Sequence, residues 1–219
     1  MNLLAIDTST DIASVGLFVN GEMLCKEQGM ARSHAQHLLP MIESLLLETG
    51  SSLSQLTGIV FGRGPGSFTG LRVALSIAKG LAYAKDLPLY PVSSLAAIAE
   101  GVWQIAPQKP VLAAMDARMQ QLYWALHSGL GEAHEQVTAA SDINLPIDTP
   151  FILAGVGIAP YIELLPHHLN QRIEQHIPLY PTAQNMISMV LAGKSKPVSA
   201  EEALPVYVRN QVTQGDCNG

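Results

Sequence analysis

The sequence predicts an α/β protein of two lobes, each built on a mixed sheet with flanking helices, the second lobe reduced. Three observations carry the prediction. Residues 59–90 read as an apolar strand, a glycine loop (Gly62-Arg63-Gly64-Pro65-Gly66), a helix opening at Ser67 and a further strand. Parallel sheets are assembled from such units. Residues 3–27 read as three short strands, with the two-residue turn Asn20-Gly21 between the second and third. The opening pattern then returns. Placing Asp116 on Asp7 sets Leu112-Ala113-Ala114-Met115 over Leu3-Leu4-Ala5-Ile6, and residues 122–127 over residues 13–18, which reads as an internal duplication.

Composition bounds what these lobes can do. The 219 residues suffice for one sizeable core or two smaller ones, and 48% hydrophobic with 14% charged residues describes a globular chain. The net charge is −6 with no block of Lys or Arg, which argues against strong nucleic-acid binding by this chain alone, since phosphate binding runs on clustered cations. The first residues lack a basic segment and meet Asp7 at once, unlike a secretory leader. No apolar run reaches ~18 residues. Cys25 and Cys217 are too few and too distant to frame a disulfide scaffold or a zinc site. A cytoplasmic protein is expected.

Taken in order, residues 3–6 form a buried strand broken by the polar turn Asp7-Thr8-Ser9-Thr10-Asp11, and residues 13–19 and 22–27 complete an antiparallel unit. A helix follows from Ser33 to Glu48, with Ala35, Leu38, Leu39, Ile42, Leu45 and Leu46 in one arc of about 120°. Pro40 inside it calls for a kink or a late start. Met41 and Leu47 fall off that arc and leave apolar surface without an internal use. The helix from Phe68 is more apolar still. Its polar residues Thr69, Arg72, Ser76, Lys79 and Tyr83 occupy roughly 80° of arc. Leu71, Val73, Leu75, Ile77, Gly80 and Leu81 belong to a greasy face about twice as wide as one sheet requires. Either the helix is sandwiched within its own domain or part of that face meets a second chain.

A helix over residues 93–103 closes the first lobe, and Ala106-Pro107-Gln108-Lys109-Pro110 marks a boundary between an N-terminal lobe (1–105) and a smaller C-terminal lobe (106–219). Beyond Leu126 the pattern loosens. Residues 151–154 read as a strand entering Gly155-Val156-Gly157, residues 159–165 and 183–192 as helices, and residues 203–209 as an extended end.

Two lobes that each open with a hairpin sheet and an Asp turn resemble the actin, sugar kinase and heat-shock chaperone ATPase superfamily. The segments IDTST, HAQHLLPMI, FGRGPGSFTGLRVALSIAKGLA, MDARMQQLYWA and PVYVRNQV together resemble the TsaB (YeaZ) family over nearly the whole chain. The resemblance implies a non-catalytic subunit of the complex that makes threonylcarbamoyladenosine at position 37 of tRNAs reading ANN codons. Its partners would be the catalytic paralogue TsaD and the ATPase TsaE, with tRNA reached only through the complex. Cofactors, ATP and metal, would sit on those partners and not on this chain. The implied interface, with TsaD or with a second copy, uses the two first-lobe helices, and with them His34, His37, Met41, Leu47, Arg72, Val73, Ser76, Ile77, Lys79 and Gly80.

Asp7, Thr8 and Ser9 stand where the superfamily places its first phosphate loop. An Asx or ST turn between two strands requires the same residue types, so the site is expected as a vestige. Asp116-Ala117-Arg118, at the second phosphate position, lacks hydroxyls, and Gly155-Val156-Gly157 is a weak remnant of an adenosine segment. The loop of Gly62, Gly64 and Gly66 has no Walker lysine and is read as a tight turn before an anion site. His34 and His37 offer two ligands at His-x-x-His spacing, where TsaD-like paralogues carry His-x-x-x-His and a late Asp. Three ligands are the usual minimum for a catalytic metal, so no metal is expected. An enzyme in its own right, a phosphotransferase or a metalloprotease, is the alternative. Each lacks part of its machinery in this sequence.

Overall fold

Strand β1 (Leu3–Asp7) is buried at every position, as a mid-sheet strand covered on both faces must be. In the computed structural model, described over residues 1–29, 34–128 and 133–209, it pairs antiparallel with β2 (Ile12–Val19) and parallel with β4 (Gly58–Gly64). β2 returns through Asn20-Gly21, at φ of 56° and 88°, into β3 (Glu22–Gly29). That geometry matches the twist of the strands it joins. With β5 (Leu89–Ser93) the order is β3-β2-β1-β4-β5. The second sheet takes the same plan from β6 (Val111–Asp116), β7 (Gln121–His127), β8 (Gln136–Ala139), β9 (Phe151–Val156) and β10 (Ile173–Pro178), ordered β10-β9-β6-β7-β8.

The duplication therefore runs through every strand of both sheets, with one slip. Asp7 lies opposite Ser14, whereas Asp116 lies opposite Leu122, so the second hairpin is one residue tighter than the superposition of 122–127 on 13–18 assumes. The residue is removed by a turn in which Arg118, Met119 and Gln120 all take left-handed φ, at 62°, 52° and 59°. For L-residues each such step costs roughly 1–2 kcal/mol.

The helices differ more. The first lobe carries α1 (His34–Glu48) and α2 (Phe68–Lys85), capped by Ser67 Oγ accepting from Gly70 N–H at 3.2 Å. α1 is continuous through Pro40. Its buried stripe is Leu38, Met41, Ile42 and Leu45, an i, i+3, i+4, i+7 set. The stripe is thus rotated from the arc read in the sequence. Leu39 is 48% exposed, and Met41, expected as spare surface at a partner interface, is core at 6%. At the corresponding places, among the described residues, the second lobe has only 3-10 turns (Ala140–Asp142 and Ala159–Leu164) and one short helix. The helix expected over 159–165 is such a turn, with Pro160 in its first positions and Pro166 just past its end.

Two helices cross between the lobes. α3 (Ser94–Trp103) follows the first sheet in sequence but buries Leu95, Ile98 and Val102 against Val111, Ala113 and Ile152 of the second. α4 (His167–Asn170) stays with its own lobe through Leu169. α5 (Ala183–Leu191) follows the second sheet and buries Ala183, Met186, Ile187 and Val190 against Leu3, Ala5 and Val60 of the first. Between the sheets, buried Asn185 donates from Nδ2 to Ala97 O at 3.0 Å and accepts from Gln104 Nε2 at 3.2 Å. A cut between residues 105 and 106 separates the sheets but strips each of its covering helix.

Candidate functional site

The C-terminal ends of β1 and β4 bring the Asp7 turn and the glycine loop together. Asp7 is fully buried. Its Oδ1 accepts from Ser9 N–H at 3.0 Å and Ser9 Oγ at 2.8 Å, while Oδ2 has no partner among the described residues. Burial pushes its carboxyl up to about 7, only partly opposed by the two bonds from Ser9. Thr8 and Ser9, 0% and 3% exposed, are committed as well. Thr8 Oγ1 donates to Gly70 O at 2.7 Å, and Ser9 O accepts from Ser67 N–H at 2.7 Å. A Cβ on Gly62 would collide with Asp7 Oδ2, and one on Gly70 with the carbonyl of Thr8. The loop closes over the turn because glycine lets the backbones meet. Gly66 lies against the Ser9 carbonyl in the same way. Gly64, at φ +104° and in register with Ser93, is buried against Leu71 and the Val206 carbonyl. The hydroxyls that a phosphate would require are thus taken within the chain, Thr8 by the Gly70 carbonyl and Ser9 by the Asp7 carboxyl group.

The second Asp turn is more open. Asp116, its side chain 23% exposed, accepts from Arg118 N–H and Tyr161 OH, each at 2.8 Å, and from Arg118 Nη1 at 3.2 Å. The Tyr161 bond holds that phenol above its usual range. Gly157 faces Asp116 as Gly62 faces Asp7. Gly155-Val156-Gly157 is therefore the second copy of the glycine loop and packs on an Asp turn.

Between the two turns runs a link the sequence did not disclose. Arg63, from the glycine loop, makes a two-pronged ion pair with Glu135 of the other lobe at 3.0 and 2.9 Å. Across it lies a strap formed by residues 203–209. Val206 N–H donates to Arg63 O at 2.7 Å, and Arg209 donates to Ala117 O at 3.0 Å and Gln121 Oε1 at 2.6 Å on the β6–β7 hairpin. Tyr207 accepts from Arg72 Nε at 3.1 Å and stands 5.2 Å from the Phe68 ring, over which the Arg72 guanidinium lies at 3.8 Å. The separations in sequence run from 72 to 143 residues. Only the extended segment PVYVRNQV signalled that this part of the chain has a task.

The helices expected to pair present a mixed surface. On α2, Thr69, Arg72, Ser76, Gly80 and Tyr83 are exposed; on α1, Gln36, Leu39, Glu43 and Leu47 are. Both runs recur every three or four residues, the repeat of helices that pack side by side. Tyr83 at 86% and Leu47 at 81% are the most exposed apolar side chains there, and nothing stands within 4 Å of a Cβ on Gly80. Val73 and Ile77 are half-buried against the core beneath α1, which absorbs part of the surplus face, and Lys79 is also half-buried. His37 is half-buried, while the side chain of His34 lies outside the described residues. Among the described residues no three His, Cys, Asp or Glu side chains cluster as metal ligands, and no helix is long and apolar enough to cross a membrane.

Comparison with known proteins places this geometry. The family model for TsaD, tRNA N6-adenosine threonylcarbamoyltransferase, matches residues 27–159. The chain is 34% identical over 223 residues to the tRNA threonylcarbamoyladenosine biosynthesis protein TsaB of Escherichia coli (strain K12), covering 97% of this chain and 96% of that one. To the TsaB of Haemophilus influenzae it is 36% identical, covering 97% and 95%. Among solved structures, YeaZ from Pseudomonas aeruginosa superposes with a TM-score of 0.83 at 39% identity, over 94% of this chain and 99% of the other. A second Pseudomonas aeruginosa structure, described as similar to peptidase YEAZ, gives 0.86 at 38% identity, over 95% and 99%.

Proposed function

The chain belongs to the TsaB (YeaZ) family, with its two-lobed actin-like fold, and on that footing we infer that it serves threonylcarbamoyladenosine formation at position 37 of tRNAs reading ANN codons as a non-catalytic, cytoplasmic subunit. It pairs through α1 and α2 with a TsaD-like catalytic paralogue, or with a second copy of itself, and the pair recruits a TsaE-like ATPase. ATP and metal are handled by those partners.

The observation that carries this reading is the state of the Asp7 turn. Its carboxyl group is buried with one oxygen bonded to Ser9, and both neighbouring hydroxyls are buried and bonded within the chain, against the loop that would have to open for a phosphate. A nucleotide site needs those donors free to meet the ligand. Pairing is supported by the exposed faces of α1 and α2, whose three-and-four spacing fits helix against helix and whose Gly80 permits close approach.

The test is assembly and activity together. Gly80→Glu leaves folding intact, because the position is open to solvent and glutamate is the better helix former. The expected result is loss of the paired species by mass measurement and of threonylcarbamoyl transfer in the reconstituted mixture. The parent chain alone is expected to give no transfer and no stoichiometric heat with Mg-ATP. Transfer by the isolated chain, or undiminished pairing of the variant, refutes the reading.

A further inference from the structure

The strap and its two docking points form a continuous ridge that starts at the N-terminal end of α2, where Arg72 borders the face offered for pairing, and continues over the strap onto the β6–β7 hairpin of the other lobe. From Phe68 it runs through Arg72 and Tyr207 to Arg209 and on to Met119, each in contact with the next or joined along the strap. Phe68 is 48%, Tyr207 40% and Met119 68% exposed, and Arg118 projects beside them with 86% of its side chain in solvent. Although the protein is acidic as a whole, this ridge is not. Arg118 is matched by Asp116, but Arg72 and Arg209 bond only neutral groups among the described residues: a phenol, a carbonyl, an amide oxygen and a thioether. Their charge is left uncancelled beside two rings that are each partly exposed, Phe68 with Arg72 over one face.

We propose that this ridge takes unpaired nucleotides of an RNA loop, bases against Phe68 and Tyr207 and phosphates against Arg72, Arg118 and Arg209. Single-stranded RNA is held by this pairing of aromatic faces with guanidinium groups. An acidic peptide would satisfy the cations but leave the rings without a counterpart. The left-handed tip at Arg118-Met119-Gln120, held beside Arg209 by that residue's bonds to Ala117, Met119 and Gln121, leaves the Arg118 side chain in solvent where a backbone can pass. The proposal rests on the tRNA function inferred above and adds a direct contact from this subunit.

Two measurements test it. In the complex with the paralogue, a labelled full-length tRNA reading an ANN codon is titrated at several salt concentrations against the parent and the Phe68→Ala/Arg118→Glu variant. The variant is expected to bind at least about tenfold more weakly, with a salt slope shallower by about one to two and unchanged pairing by mass. Unchanged tRNA affinity with pairing intact overturns the proposal, and so does loss of the ATPase partner alone, which would make the ridge a protein surface. Should pairing itself fail, the second measurement still decides. Ultraviolet crosslinking of an adenosine-rich oligoribonucleotide to the isolated chain at low salt is expected to mark the peptides holding Phe68 and Tyr207. Crosslinks elsewhere, or none, overturn it.

Discussion

Asp7 and Asp116 end equivalent strands, face equivalent glycines and yet live under opposite conditions. Asp7 is sealed, with one carboxylate oxygen bonded twice to Ser9 and the other to nothing among the described residues. Asp116 is partly wet and holds Arg118 twice and Tyr161 once. The first lobe buried its turn because α2 and the glycine loop close upon it. The second, which among the described residues has short turns in place of long helices, left its turn partly at the surface. What differs between the two copies is the covering, and the covering decides how far the same residue is shut off from water.

Three experiments sharpen that contrast, the largest effect first. Asp7 has a folded-state pKa of about 7 against 3.8 when solvated. The folded chain therefore holds a proton that the unfolded chain releases between those values, and stability present below about pH 4 is lost as pH rises to about 7. The loss amounts to about 4 kcal/mol. Urea unfolding at pH 4 and pH 8 should show that decline in the parent and most of it absent in Asp7→Asn; equal slopes break the contrast. Next, Gly70→Ala drives a methyl group into the Thr8 carbonyl and is expected to cost about 2–3 kcal/mol in the same assay. A neutral result means that α2 and the turn are not in contact. Last, Tyr161→Phe removes one of three bonds to Asp116, whose carboxylate keeps Arg118 and solvent, so the expected loss is about 1 kcal/mol.

Much of this architecture was legible in the residues. Asn20-Gly21 announced its hairpin, and the apolar strand ending in Asp announced both lobes, because local backbone demands leave local signatures. Met41 was misplaced for want of the true centre of the helical stripe, which depends on what α1 lies against. β10, at a sheet edge, reads Ile-Glu-Gln-His-Ile-Pro and lacks the alternation of a half-buried strand. At the Asp7 turn the chain is polar, and a run of Asp, Thr and Ser reads as surface. Its complete burial follows from a loop more than fifty residues away, as does the Arg63–Glu135 pair. No window on the sequence contains such contacts. The surplus apolar positions of α2 are legible in the sequence, but Val73 and Ile77 among them lean on their own core.

The exchange of α3 and α5 sets a condition on synthesis. As the chain leaves the ribosome, the first sheet is complete by residue 93, but the helix that seals one of its faces is not made until residue 191. For that interval Leu3, Ala5 and Val60 have no lid of their own, and the nascent half-protein is a sticky intermediate. The two halves must therefore finish together, and a truncated product ending near residue 105 should be found with a chaperone or in the insoluble fraction.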